Sequence, residues 1–180
     1  MYLQIMAKFQ NVFVTVGTTD FDGLLRSIDD DAFPSLLKAL GCIRLTIQKG
    51  RGVYSFKRLE SACDNEGISL DVYRFKATLA EDMSKADAII SHCGAGTVIE
   101  SVSMKKFLIV VVNPSLQGNH QRELADAMAG QGWCLATEPG SLFENLKELA
   151  ADNNPESRIK PYPEVQPKLF SGLIDSLFDF

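Results

Sequence analysis

Short apolar runs along this chain alternate with stretches in which apolar residues recur every three or four positions. The runs at 12–16, 43–48, 68–75, 88–91, 108–112 and 133–136 read as strands. The stretches at 33–40, 79–86, 97–104, 119–129 and 141–151 read as helices. In the second of these, Glu81, Asp82, Ser84 and Lys85 supply a polar face. The strands are almost wholly apolar, the habit of strands buried on both faces of a parallel sheet. Alternation of strand and helix therefore predicts an α/β fold, a single doubly wound (Rossmann-like) parallel sheet. At 180 residues the chain is too short for a closed eight-stranded barrel.

The pattern changes after residue 151. Residues 152–167 are polar and carry Pro155, Pro161, Pro163 and Pro167, which predicts an extended linker. In 168–180, Leu169, Phe170, Leu173, Ile174, Leu177 and Phe178 return at helical spacing, which predicts a final amphipathic helix. The sheet domain is thus expected over 11–151. The apolar face of the last helix can dock on a partner or on its own domain.

A net charge of −5 argues against nucleic acid or an anionic membrane as the main partner. The apolar run at 107–112 is far short of the roughly 20 residues that span a bilayer. The first ten residues lack the apolar centre and cleavage signal of a secretory peptide. Cys42, Cys63, Cys93 and Cys134 form no Cys-x-x-Cys pair and read as buried thiols of a reducing compartment. With only His92 and His120 beside them, no zinc pattern arises.

Ligands of open α/β sheets bind beyond the carboxyl ends of the strands. Two loops fall there: Gly17-Thr18-Thr19 and the turn running from Ser91 to Thr97. In the second, Gly94 and Gly96 allow close backbone approach. The helix that follows turns free N–H groups and a partial positive charge into the loop, which suits a phosphate oxygen. Thr97 can cap that helix or donate its hydroxyl to phosphate, and His92 can donate as well. Glu100, one turn in, can accept both hydroxyls of a ribose. The competing dinucleotide fingerprint fails, because Ile99 stands at its third glycine and the turn does not follow the first strand. Asp20-Phe21-Asp22 and Asp29-Asp30-Asp31 have the form of metal-holding acidic triplets. The first opens a helix, where acids are expected anyway, and the second sits in a polar turn, so no metal is expected.

The segments VFVTVGTT (12–19), ISHCGAGTVIE (90–100) and NHQRELA (119–125) together resemble the cytosolic, donor-binding subunit of the two-part N-acetylglucosaminyltransferase of dolichol-linked N-glycan assembly. The resemblance covers about residues 11–136, and the linker and final helix more loosely. It implies the carboxyl-terminal, donor-binding half of an inverting GT-B glycosyltransferase, related to the bacterial enzyme that glycosylates the peptidoglycan lipid precursor. The implied donor is UDP-N-acetylglucosamine and the implied acceptor N-acetylglucosaminyl-diphosphodolichol. The implied partner is a membrane-anchored acceptor-binding subunit that recruits this chain to the cytosolic face of the endoplasmic reticulum. The resemblance puts Gly17, Thr18 and Thr19 at the donor diphosphate or sugar, and Phe75 with the backbone of Lys76 at the uracil. It puts His92, Gly94, Gly96 and Thr97 at the phosphates, Glu100 at the ribose, and Asn119, His120 and Gln121 at the donor sugar. No cofactor is implied. The chain departs from a complete transferase in lacking a second sheet domain, so the catalytic base is unassigned and His92 is left the task of stabilising the leaving UDP. A non-catalytic UDP-sugar-binding module shares these loops, and a UDP-sugar epimerase shares the architecture but normally carries both domains.

Overall fold

The structure is a computed structural model and describes residues 9–115 and 120–163. The predicted final helix and Asn119 lie outside the described residues. Six parallel strands form one sheet: β1 (Asn11–Thr15), β2 (Arg44–Gln48), β3 (Ser69–Tyr73), β4 (Ala88–His92), β5 (Phe107–Val111) and β6 (Leu135–Thr137), in the order β3-β2-β1-β4-β5-β6. The order reverses between β1 and β4, which pair in register from Val12↔Ala88 to Thr15↔Ser91. In doubly wound sheets the crevice at that reversal is where ligands enter.

The helices are α1 (Asp22–Ile28), α2 (Ala32–Ala39), α3 (Leu59–Glu66), α4 (Ala80–Lys85), α5 (Ala95–Ser103), α6 (His120–Gly130) and α7 (Leu142–Ala151). Alternate residues of each strand face opposite ways, so the sheet supports two cores. Val12, Val14, Leu45, Ile47, Ile90 and Ile109 pack with buried residues of α1, α2, α3 and α7. Phe13, Ile89, Leu108 and Val110 pack on the other side with Met83 of α4, Val98 and Val102 of α5, and Leu124, Ala125 and Met128 of α6. That second layer stops short of one edge: Arg44 and Asp71, on the same face of β2 and β3, are exposed. Polar residues stand where a covering helix would require apolar ones.

The apolar periodicity located every strand to within two residues, but it left out α3. That helix buries only Leu59, Ala62 and Cys63, so its apolar signal is thin. It is secured instead by a distant cap: the Asp29 carboxylate accepts the backbone N–H groups of Lys57, Arg58 and Leu59, at 2.9 Å for the last two, together with the Tyr54 hydroxyl at 2.7 Å. Burial alone would raise the Asp29 pKa; these four donors reverse the effect and hold it below the ordinary value. Asp29, of the second acidic triplet, thus serves α3, and Asp22, of the first, is the opening residue of α1. Among the described residues no group of three or more His, Cys, Asp or Glu side chains is gathered as metal ligands would be.

The Pro-rich stretch is not an extended strap over its described part. Residues Pro155–Arg158 make a 3-10 turn with Pro155 buried. Ile159 packs on the core, and the Lys160 N–H donates to the Gly132 carbonyl at 2.6 Å. No helix among the described residues is long and apolar enough to cross a membrane.

Candidate functional site

The carboxyl ends of β1 and β4 carry the two loops singled out in the sequence. Between them opens a cleft of about 260 Å³. Its walls bring together Gly17 and Thr18 after β1, Phe75 and Lys76 after β3, and His92, Gly94, Gly96 and Thr97 after β4.

Helix α5 starts at Ala95, two residues before the sequence-based position, with Gly94 as N-cap and no side-chain capping bond. Thr97 is therefore not the cap; it lies within the first turn. The first intrahelical bond is Val98 N–H to the Gly94 carbonyl at 3.0 Å. The amides of Ala95, Gly96 and Thr97 precede it and have no carbonyl behind them to reach. No acidic side chain occupies this first turn, so the helix end keeps its positive character. Three N–H groups beside an uncompensated helix end form an anion site.

His92 sits under this turn and is only 7% exposed. Its ring fills the space beside the Cα atoms of both Gly17 and Gly94. A Cβ built on Gly17 would lie 2.8 Å from Nε2, and one on Gly94 would lie 2.9 Å from Cε1, too close for either. Gly17 has the further demand of a positive φ, 62°. Burial pushes the His92 pKa below its ordinary value, the backbone carbonyl of Thr15 opposing the shift. That carbonyl makes no hydrogen bond to Nδ1, which is buried and without a partner among the described residues. The ring is thus held neutral, with one N–H to give and a polar atom unspent.

Gln48, which sequence reading passed over, ties the cleft together. It is 2% exposed at the end of β2. Its Oε1 accepts from the Thr15 hydroxyl at 2.6 Å, and its Nε2 donates to the carbonyls of Gly17 at 2.7 Å and Arg74 at 2.8 Å. Thr15 Oγ1 in turn accepts the Gly17 N–H at 3.1 Å. The β1 loop and the chain segment leading to Phe75 are thereby fixed to one amide. The available signal was a Gln directly after Ile47, in step with the polar Arg44 and Thr46 of the same strand but at the sheet end where ligands enter.

Phe75 is 52% exposed, a large aromatic face turned to the cleft. The Lys76 ammonium is held by Asp82, at 2.9 and 3.0 Å, and lies 4.0 Å from the Tyr73 ring centroid, so its charge is already met. Four predicted site residues are not in the cleft wall. Thr19 donates its hydroxyl to the Val16 carbonyl at 2.7 Å and so closes its own turn. Glu100 lies one turn farther along α5. His120 and Gln121 open α6. Gln121 is nevertheless anchored to the site, its carbonyl accepting from Cys93 Sγ at 3.0 Å and its Oε1 from the Asn113 N–H at 3.4 Å.

An open doubly wound sheet with an anion-ready helix end at its reversal point defines a domain of the Rossmann-like class. The chain belongs to the glycosyltransferase family 28 C-terminal domain family, whose profile matches residues 11–165. It is 43% identical over 121 residues to the human UDP-N-acetylglucosamine transferase subunit ALG13, a match that covers 67% of this chain and 10% of that protein. The chain thus spans about a tenth of the human relative's length. The solution structure of ALG13 superposes with a TM-score of 0.66 at 23% identity, covering 94% of this chain and 97% of that one. Acinetobacter baumannii MurG superposes with a TM-score of 0.61 at 20% identity, covering 95% of this chain and 50% of its own. The fold is that of one half of a two-domain GT-B glycosyltransferase.

Proposed function

We propose that this chain binds UDP-N-acetylglucosamine and is the donor half of an inverting transferase. In this reading it passes N-acetylglucosamine to N-acetylglucosaminyl-diphosphodolichol, the second sugar of the lipid-linked oligosaccharide used in N-glycosylation. The observation that carries the proposal is the set of amides at Ala95, Gly96 and Thr97 converging on one cleft with His92. The relative's name, UDP-N-acetylglucosamine transferase subunit, supports the choice of donor.

The diphosphate seats on the α5 amides, the uracil lies against Phe75, and Glu100 takes the ribose hydroxyls. Asn119, His120 and Gln121 approach the sugar from α6 and the residue before it. In the transfer the acceptor hydroxyl oxygen bonds to C1 of the sugar as the bond from C1 to the phosphate oxygen breaks. The acceptor proton passes to a base outside this chain. Charge gathers on the departing UDP, where fixed N–H groups and the single N–H of neutral His92 stabilise it without a required metal.

A cleft of about 260 Å³ lies just below the usual range for small-molecule sites, as expected of one wall of a site. The second wall is assigned to a membrane-anchored acceptor-binding subunit, in a heterodimer at the cytosolic face of the endoplasmic reticulum. The test is a transfer assay with UDP-N-acetylglucosamine and the dolichol-linked acceptor, with and without the candidate subunit. Turnover only in the reconstituted pair is expected. Robust turnover by the isolated chain would refute the heteromer, and UDP binding without turnover in any pair would leave a sugar-nucleotide-binding module.

A further inference from the structure

Residues 49–58 carry Lys49, Arg51, Lys57 and Arg58 and no acidic side chain, on a chain whose net charge is −5. They run from the carboxyl end of β2 to the start of α3, at the same end of the sheet as the donor cleft. Arg51, Lys57 and Arg58 are exposed, and among the described residues none of the three pairs with a carboxylate. Between them stands Val53, 84% exposed, the most exposed large apolar side chain among the described residues. A lone exposed valine is ordinary. A valine held out by a fixed loop, among three unpaired cations, is not.

The loop is fixed from several sides. The Arg51 N–H donates to the Thr19 carbonyl at 2.9 Å, and the Gly50 N–H to the Arg74 carbonyl at 3.2 Å. The Arg74 guanidinium reaches back to the carbonyls of Gly50 at 3.3 Å and Arg51 at 3.0 Å. The Lys49 ammonium turns inward and donates to the Tyr54 carbonyl at 2.8 Å. Tyr54, directly after Val53, gives its N–H to the Asp22 carboxylate at 3.3 Å and its hydroxyl to Asp29 at 2.7 Å. The Arg26 guanidinium covers its ring at 4.9 Å. Asp22 and Asp29, the carboxylates that touch the loop, are thus spent on backbone N–H groups and a hydroxyl. They hold the backbone and leave the three exposed cations unmet.

We propose that this loop rests on an anionic lipid surface, with Val53 entering the headgroup layer and Arg51, Lys57 and Arg58 meeting lipid phosphates. A protein partner fits less well. A specific protein interface buries about 800 Å² on each side around a cluster of apolar anchors, and this loop offers one. Phe75, the other large apolar side chain exposed at this end, belongs to the cleft, and Ile43 lies at the opposite end of β2. The choice of a lipid surface rests on the lipid-linked acceptor of the proposed function. Through Thr19 the loop is tied to the β1 loop of the cleft, so seating it on a membrane turns the cleft toward the surface in which that acceptor is anchored. One valine and three cations on an acidic chain make a weak contact, one that orients the domain and does not recruit it.

Sedimentation of the full chain with vesicles tests this. Binding is expected to vesicles of phosphatidylcholine with phosphatidylserine and not to phosphatidylcholine alone, and it should fall as salt is added. A cation at such a surface is worth roughly fivefold in affinity, so Arg51→Gln with Lys57→Gln should lower binding about 25-fold. Val53→Asp should lower it too, and Val53→Trp should raise it, since tryptophan favours the membrane interface. These side chains are exposed, so urea midpoints should stay in place. Vesicle binding requires neither UDP nor a second subunit, so it succeeds or fails independently of the donor reading. Equal binding to the two kinds of vesicle would overturn the proposal. So would binding to the anionic vesicles that all three loop variants leave unchanged; release of a detergent-solubilised candidate subunit by those same variants would then assign the loop to a protein contact.

Discussion

The imidazole of His92 stands in the only space a side chain on Gly94 could use. Gly94 has φ −90°, which any residue adopts, so its glycine is required by His92 and not by the backbone. Gly17 answers to both demands. A double-mutant cycle separates them. Gly94→Ala is expected to cost about 1–3 kcal/mol by overpacking, and His92→Ala in the same chain should recover most of it. Gly17→Ala should retain about 1 kcal/mol of left-handed strain even beside His92→Ala. Urea unfolding of the four-member set checks this; additive costs for Gly94 and His92 would show that the ring yields freely.

His92 also sets a pH dependence. Its folded pKa lies below the ordinary 6.5, so the unfolded chain takes up the proton first as pH falls. The stability held with a neutral ring is present above pH 6.5 and is lost as pH drops from there through the depressed folded value. Asp29, also depressed, acts in a separate window, below its ordinary 3.8. His92→Asn should therefore flatten the stability profile on the acid side of pH 6.5 while leaving the limb set by Asp29, below its ordinary 3.8, in place. Urea midpoints across that range are the measurement, and an unchanged slope would remove His92 from the account.

Gln48→Leu leaves the carbonyls of Gly17 and Arg74 and the Thr15 hydroxyl without their partner. The Arg74 carbonyl keeps the Gly50 N–H and the Thr15 oxygen keeps the Gly17 N–H, so the loss is expected to cost about 2 kcal/mol in all. The shape-matched Gln48→Glu keeps an acceptor for Thr15 but loses both donors, and should be no better. Both variants should weaken UDP by calorimetry beyond what their residual folded fraction explains, because Phe75 follows Arg74 directly.

Glu100 lies outside the cleft wall. On the donor reading, Glu100→Ala should weaken UDP about tenfold, the value of a charged hydrogen bond, with unfolding unchanged. The loss should vanish with a UDP analogue lacking both ribose hydroxyls. Equal losses for the two ligands would place the ribose elsewhere.

The sequence made the sheet legible because strands buried on both faces must be apolar throughout, and 107–111 admits nothing else. The glycine turn was legible for the same kind of reason, a backbone need that few residues meet. What escaped was held by distant polar contacts. Helix α3 is secured by Asp29 across 28 to 30 positions of chain, and Gln48 gains its role from carbonyls 26 and 31 positions away. Periodicity carries no trace of such partners. The offset of α5 has a local cause: Ala95 and Gly96 lack the apolar or capping character that marks a start, although both are helical.

The partial covering of the sheet gives the cleft two unequal jaws. His92 and the α5 amides rise from strands clad on both faces, whereas Phe75 rises beyond β3, where one face carries the exposed Asp71. The phosphate side of the cleft is thus a fixed anvil. The aromatic side is a ledge, held through Gln48 and presenting the half-exposed ring of Phe75 to whatever flat group the anvil brings near.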